Sequence, residues 1–382
     1  MSKSAKRTAA PQLDERSGVT TLELFFDLVF VFALTQLTSI LRQASGPSDV
    51  IQAGLVLVVL WWMYDGFAWL TNNVATASTA RRLLMLTSMA AFLVAAIAVP
   101  GAFDDDGLIF GVAYLAIVLL HAGIFTLAQS ARSARAILAI LPFNLSCALL
   151  VLAAGWTSGA TALALWGAAV AVLIAAMLLR QESGFDLRPA HFAERHGLIV
   201  ILALGESVVD LGVGAEGGLH DGATVITALL ALSLAAALWW LYFDRDDEAG
   251  ALSLARIDPV GQRRAALLAY SLGVLVLVAG VILAASGLET AVAHPHGQLS
   301  PWPAWSIAAG AATYLLGLGL FRRLLHLPGV WLRPAAALPV LAGAALGLAL
   351  NGAAEVAGIT VVLVLAIVLD TRRTPAVTVI RD

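Results

Sequence analysis

Lysine is almost missing from this chain: Lys3 and Lys6 are the only two, and both lie near the N-terminus. With no lysine inside an apolar run, a retinal Schiff base is excluded. Cys147 is the single cysteine, which excludes an internal disulfide and a thiolate metal cluster. Charged residues make up 12% of the chain, about half the usual globular share. No glycine-rich Walker A sequence occurs, and no loop is large enough for a soluble domain. ATP-driven pumping is therefore not expected, and any uphill transport would draw on an ion gradient.

Hydrophobic residues make up 60% of the 382 residues, and mean hydropathy is +0.90. Too few polar residues remain to coat a soluble core, so the bulk of the surface must face lipid. The apolar runs are approximately 22–41, 51–71, 83–101, 108–129, 136–154, 161–179, 197–214, 223–243, 265–286, 303–321, 335–350 and 353–369. Backbone groups in hydrocarbon must be satisfied within the segment, so each run reads as a helix. The last two are short and meet at Asn351-Gly352, as a tight hairpin or a re-entrant pair. The expected fold is an all-α integral membrane protein of about twelve transmembrane helices. If the N-terminus is cytoplasmic, all of the 22 lysines and arginines except Arg42 fall on the inner side. Both termini are then cytoplasmic by the positive-inside rule. Residues 1–17 read as a polar tail before a retained helix, because Glu23 and Asp27 interrupt what would otherwise resemble a signal peptide.

The chain also repeats itself. Glu15-Arg16-Ser17-Gly18 returns as Glu194-Arg195-His196-Gly197, and in each copy an acid, Asp27 or Glu206, follows twelve residues after the first Glu. Trp61-Trp62-Met63-Tyr64 recurs as Trp239-Trp240-Leu241-Tyr242, Arg81-Arg82 as Arg263-Arg264, and Leu141-Pro142 as Leu338-Pro339. Collinear matches of this kind indicate duplication. They divide the chain into a tail (1–17), a first repeat (18–181), a second repeat (182–371) and a C-terminal tail (372–382). Helices 1 and 7 are six spans apart, an even offset, so the two six-helix repeats are expected to be parallel. In secondary transporters of this architecture the substrate path lies between the halves.

Ionisable groups inside a membrane are costly and usually face the bundle interior. At 1.5 Å per residue, Asp27 and Glu206 both lie about 14 Å from Gly18 and Gly197. His121 and Asn144 reach a similar depth and Asp65 a shallower one, so the five are expected to form one polar layer. That layer holds acids and no arginine, which favours a proton or a cationic solute. Glu23 and Asp27 share a helix face, as do Glu206 and Asp210. Two carboxylates on one buried face cannot both ionise cheaply, which makes each pair a proton-binding candidate. Arg195 is expected to set orientation or to pair with Glu194. His121 is read first as a neutral helix-helix hydrogen-bonding residue, with proton relay as the alternative. The tryptophans are read as interfacial anchors or packing residues.

ELFFDLVFVFALTQLT (23–38) and ERHGLIVILALGESVV (194–209) resemble the signature of the bacterial low-temperature-requirement A family. The resemblance implies a polytopic inner-membrane protein named from growth in the cold. It supplies no reaction and no catalytic residue. It marks Glu23, Asp27 and Gln36 in the first motif, and Glu194, Arg195, His196, Gly197, Gly205, Glu206 and Ser207 in the second.

The leading expectation is a secondary transporter or permease, coupled to protons through Asp27 or Glu206. An enzyme acting on lipid, built on His191, Glu194 and His196, and a structural or sensory protein are the alternatives. No cofactor or metal and no nucleic-acid partner is expected; the partners are the bilayer and a small solute or proton. Nothing in the sequence determines an oligomeric state.

Overall fold

A computed structural model describes residues 18–73, 78–126, 131–179 and 187–373. Glu15, Arg16 and Ser17 of the first motif copy, and most of both tails, lie outside the described residues. Among the described residues every regular element is a helix. The helices are α1 (Thr21–Arg42), α2 (Pro47–Asn73), α3 (Thr79–Ile97), α4 (Gly107–Thr126), α5 (Ala131–Ala154), α6 (Gly159–Leu179), α7 (Pro189–Gly214) and α8 (Gly222–Phe243). They continue with α9 (Asp246–Arg256), α10 (Pro259–Ala265), α11 (Val274–Ala293), α12 (Pro301–Leu324), α13 (Leu332–Ala342), α14 (Ala344–Ala349) and α15 (Gly352–Arg373). Eight residues of wider π-helical turns, Ala266–Gly273, join α10 to α11.

Twelve helical segments are long and apolar enough to cross a membrane, the number expected from the apolar runs. The last two, Leu332–Ala349 and Gly352–Arg372, have the length of full spans, although Gly343 separates α13 from α14 within the first of them. Leu93, Ile97, Ile226, Leu229 and Val361 present large apolar side chains on the outside of the bundle, a surface that suits hydrocarbon and not water.

Local signals place the helix starts. Thr20 and Glu23 form a reciprocal capping box at α1, and Ser78 accepts from the Arg81 amide at α3. Pro189 opens α7 at a position where its missing N–H costs nothing. Asp221 caps α8 through the Ala223 amide. That hydrogen bond, with further help from His296, holds the exposed Asp221 carboxyl below the usual range.

Helix neighbours follow the same order in the two sets of six. In the first, α1 packs on α3, α3 on α4, α4 on α5, α5 on α6, and α2 on α4 and α6. In the second, α7 packs on α11, α11 on α12, α12 on α13, α13 on α15, and α8 on α12 and α15. Contact between the sets runs through α1 against α7 and α11, and α2 against α7 and α11. Below, the near side is the membrane face where α1 and α7 begin.

The α11–α12 contact depends on backbone approach. A Cβ on Gly310 would stand 2.3 Å from the Ala284 nitrogen, and one on Gly280 would stand 2.7 Å from the Tyr314 nitrogen. In a free helix, glycine to alanine stabilises by about 1 kcal/mol. Gly310→Ala is expected to have the opposite sign, a loss of about 1–3 kcal/mol from overpacking. Gly167→Ala, on a lipid-exposed face of α6 with nothing within 4 Å, is the control. Thermal unfolding of the purified protein distinguishes the two.

Candidate functional site

α1 and α7 run parallel and side by side, and their facing residues carry charge. Arg195 Nη2 donates to Asp27 Oδ1 at 2.6 Å. Arg195 Nη1 lies 3.5 Å from Glu23 Oε1 and donates to Thr71 Oγ1 of α2 at 3.3 Å. The guanidinium carbon sits 5.8 Å from the centroid of the Tyr64 ring. Arg195 and Asp27 are both 0% exposed, so each charge depends on the other for compensation. Among the described residues Arg195 Nε has no hydrogen-bond partner, and the Tyr64 hydroxyl is buried beside Asp27.

Two expectations are corrected here. The buried layer does contain an arginine, and Arg195 pairs with Asp27 and Glu23, not with Glu194. The reason is where α7 begins. Pro189 starts the helix six residues before Arg195, which carries the guanidinium about 9 Å along the axis. Glu194 is exposed, and its Oε2 accepts from the Val19 amide at 3.2 Å.

Glu23 has a second role beyond its cap. Its Oε2 accepts from the Thr20 amide and hydroxyl, each at 2.7 Å, while Oε1 lies 3.2 Å from His191 Nε2. His191 Nδ1 in turn faces the Asn72 amide nitrogen at 3.5 Å. Asn72 also holds Arg188, accepting from its backbone amide at 2.8 Å and donating to its carbonyl at 3.1 Å. One residue after Arg195, His196 Nε2 lies 3.1 Å from Asp65 Oδ1 of α2. A polar seam thus joins α1 and α2 to α7, buried among Tyr64, Phe192 and Tyr270.

Asp65 also lines a cavity on the other side of α2. The cavity is walled by Trp62, Gly66, Trp69, His121, Phe125, Asn144, Met177, Arg263 and Leu267, among others. His121 Nε2 donates to the Gly66 carbonyl at 2.9 Å, which leaves its Nδ1 buried without a partner. Asn144 Oδ1 accepts from the Trp62 indole at 2.9 Å. Asp65, His121 and Asn144 therefore meet, as the depth argument expects. Leu267 belongs to the π-helical turns, whose Ser271 carbonyl accepts from the Trp61 indole at 2.7 Å.

Glu206 does not lie at the depth of Asp27. Glu206 Oε1 accepts from the Thr35 hydroxyl at 2.6 Å, and Thr35 stands eight residues beyond Asp27, about 12 Å along α1. The first motif copy ends before α1 begins at Thr21, whereas the second lies inside α7. Equal counts from Gly18 and Gly197 therefore give unequal depths. Farther out, Asp210 faces Glu206, Glu289 and Arg42, and Arg42 is ion-paired with Glu289 of α11. The Trp302 indole donates to the Leu41 carbonyl at this end.

The remaining motif residues have local roles. Ser207 Oγ donates to the Leu204 carbonyl at 2.6 Å. Gly205 is exposed with open space around it, whereas a Cβ on Gly197 would stand 3.1 Å from Asp247 Oδ1. Gln36 is partly buried on α1. Trp61 is buried, but Trp239 and Trp240 of the matching pair are 39% and 49% exposed, so the pairs differ in role.

One cluster is not signalled by the motifs. Arg322 of α12 donates to Asp246 of α9 at 3.0 and 3.1 Å and to Asp370 of α15 at 3.0 and 2.8 Å. Arg333 of α13 bonds to the same two carboxylates. All four side chains are buried. Beside them, Phe321 packs its ring on Tyr242 and Tyr270.

A family model described as Bacterial low temperature requirement A protein (LtrA) matches residues 18–369. A Rhizobium meliloti (strain 1021) protein described as uncharacterized is 31% identical over 288 residues, 72% of this chain and 69% of that protein. No solved structure matches.

Proposed function

The chain belongs to the bacterial low temperature requirement A family, and from that premise we propose that it is a secondary transporter of a small solute, coupled to protons at the buried seam between two six-helix halves. The two halves are read as a duplication, as their matching order of neighbours supports. The near side is read as the cytoplasmic side of the bacterial inner membrane, in keeping with the placement of the basic residues.

The carrying observation is that polar links cross between the halves at both ends. Asp27–Arg195, Glu23–His191 and Asp65–His196 lie toward the near side, and Arg42–Glu289 toward the far side. A cavity abuts the near-side set. Alternating access requires that one set open while the other holds. Carboxylates and histidines suit the task, because gain or loss of a proton changes the strength of each link. The lipid-enzyme reading needs polar groups open to the headgroups. Of His191, Glu194 and His196, Glu194 alone is exposed, which favours transport.

The test uses purified protein in liposomes that trap a pH-sensitive dye, screened against solutes added outside. The expected result is proton flux that depends on a solute and falls at least about tenfold in Asp65→Asn, as loss of a coupling group commonly does. Absence of flux across a broad panel of cationic, anionic and neutral solutes overturns the transport reading. Full flux in Asp65→Asn overturns the coupling site.

A further inference from the structure

The hydrogen-bond partners of His196 count its protons. Nδ1 lies 2.9 Å from the Phe192 carbonyl oxygen, and Nε2 lies 3.1 Å from Asp65 Oδ1. A carbonyl and an ionised carboxylate only accept, and a neutral imidazole carries one N–H. Two acceptors therefore require one further proton. It resides on Nε2, giving an imidazolium beside a carboxylate, or on Asp65, giving a carboxylic acid beside a neutral imidazole. Either way the pair is electrically neutral while it holds that proton and carries one negative charge without it.

The other two histidines within the described spans differ. His191 can accept the Asn72 amide on Nδ1 and donate Nε2–H to Glu23. His121 donates Nε2–H to the Gly66 carbonyl and leaves Nδ1 bare. Each ring faces a single acceptor, so one N–H suffices and neither calls for a further proton. Arg195 beside His196 is committed to Asp27 and Glu23, so it does not replace the missing positive charge.

Among the described residues that line the cavity Asp65 is the only carboxylate, and Trp62, Trp69 and Phe125 line it with Asp65. Aromatic faces around a carboxylate favour a cation with an apolar body. We propose that the Asp65–His196 pair exchanges its proton for an organic ammonium ion bound in this cavity. The proton leaves His196 Nε2 for water, the ring keeps Nδ1–H on the Phe192 carbonyl, and Asp65 turns its charge to the incoming cation. Proton and cation compete for one carboxylate, which is the exchange that an antiporter needs. The inference names the substrate class of the site proposed above, and binding alone tests it without transport.

Other charged and titratable groups surround the pair. Tyr270 of the π-helical turns packs edge-on against the His196 ring, His121 of α4 and Arg263 of α10 line the cavity with Asp65, and Arg195, next to His196 on α7, brings Asp27 and Glu23 of α1 as its own partners. Arg263 lines the cavity and opposes a cation, so an anion must be tested alongside.

The experiment is calorimetric titration of the whole protein in lipid nanodiscs with benzyltrimethylammonium, phenylacetate and benzyl alcohol. Titrations run at several pH values, and buffers of different ionisation enthalpy count the protons released. The expected result is selective binding of benzyltrimethylammonium, with about one proton released per cation. Its Kd then falls about tenfold for each unit rise in pH while the pair still holds its proton. His196→Gln keeps Asp65 without the exchangeable proton, so it should bind the cation with no pH dependence. Asp65→Asn should lose both binding and proton release, with an unchanged size-exclusion profile showing that it folds. Preference for phenylacetate or benzyl alcohol overturns the inference, as does cation binding in the unmodified protein without proton release. Proton-linked binding in nanodiscs with no flux in liposomes would retire the transport reading and leave this one standing.

Discussion

Arg195→Leu is expected to cost about 3–5 kcal/mol of stability, the range seen when one partner of a buried ion pair is removed. The substitution leaves Asp27 in a site with 0% exposure and takes from Glu23 its nearest guanidinium. Neither carboxylate can move to water without unwinding α1 from α7. Arg195→Lys should fall between the two, because an ammonium cannot reach Asp27, Glu23 and Thr71 together as a planar fork does. The informative variant is the double one. Asp27→Leu with Arg195→Leu removes both charges and should recover part of the lost stability, since a buried pair roughly breaks even against apolar packing, while Glu23 keeps His191. Thermal unfolding of the four proteins in detergent gives the comparison. A double variant no more stable than Arg195→Leu alone would show that the pair is not the coupled unit described.

The spans were legible because lipid allows few answers: each apolar run must close its own hydrogen bonds, so length and hydropathy identify it. The Asp65, His121 and Asn144 group was legible for a related reason, since counting residues from the near-side helix ends placed all three at compatible depth. Arg195 was missed because the apolar run begins at Gly197, whereas the helix begins at Pro189. The proline was the available signal, as it is favoured in the first turn. Glu206 was misplaced by treating sequence equivalence as equal height. The link from Asp65 to His196 joins residues 131 positions apart, and nothing local in either motif announces it. Helix periodicity tells which residues share a face, but not which face of another helix they meet.

The four-residue cluster on the near side of the second half carries the other large effect. Arg322→Met leaves Arg333 as the remaining guanidinium of the cluster for the buried Asp246 and Asp370, and about 3–5 kcal/mol should again be lost. Asp370→Asn should destabilise for the opposite reason, because two arginines then share one carboxylate. Arg322 also donates to the Pro328 and Gly329 carbonyls, so its removal loosens the α12–α13 connection as well. Replacing all four with Met and Leu tests whether charge or shape holds α9, α12, α13 and α15 together. Charge balance predicts that the quadruple variant unfolds at or above the temperature of either single one. Under the proposed transport function, the two sets of helices would differ in role. Among α1–α6, α2 and α4 border a cavity whose histidine has one ring nitrogen bare; among α7–α15, Phe321 packs on Tyr242 and Tyr270 beside the cross-linked arginines. If the second half is the fixed body against which the first moves, the quadruple variant, though folded, should lose solute-dependent proton flux at least as fully as Asp65→Asn. Full flux in that variant would show that rigidity there serves stability alone.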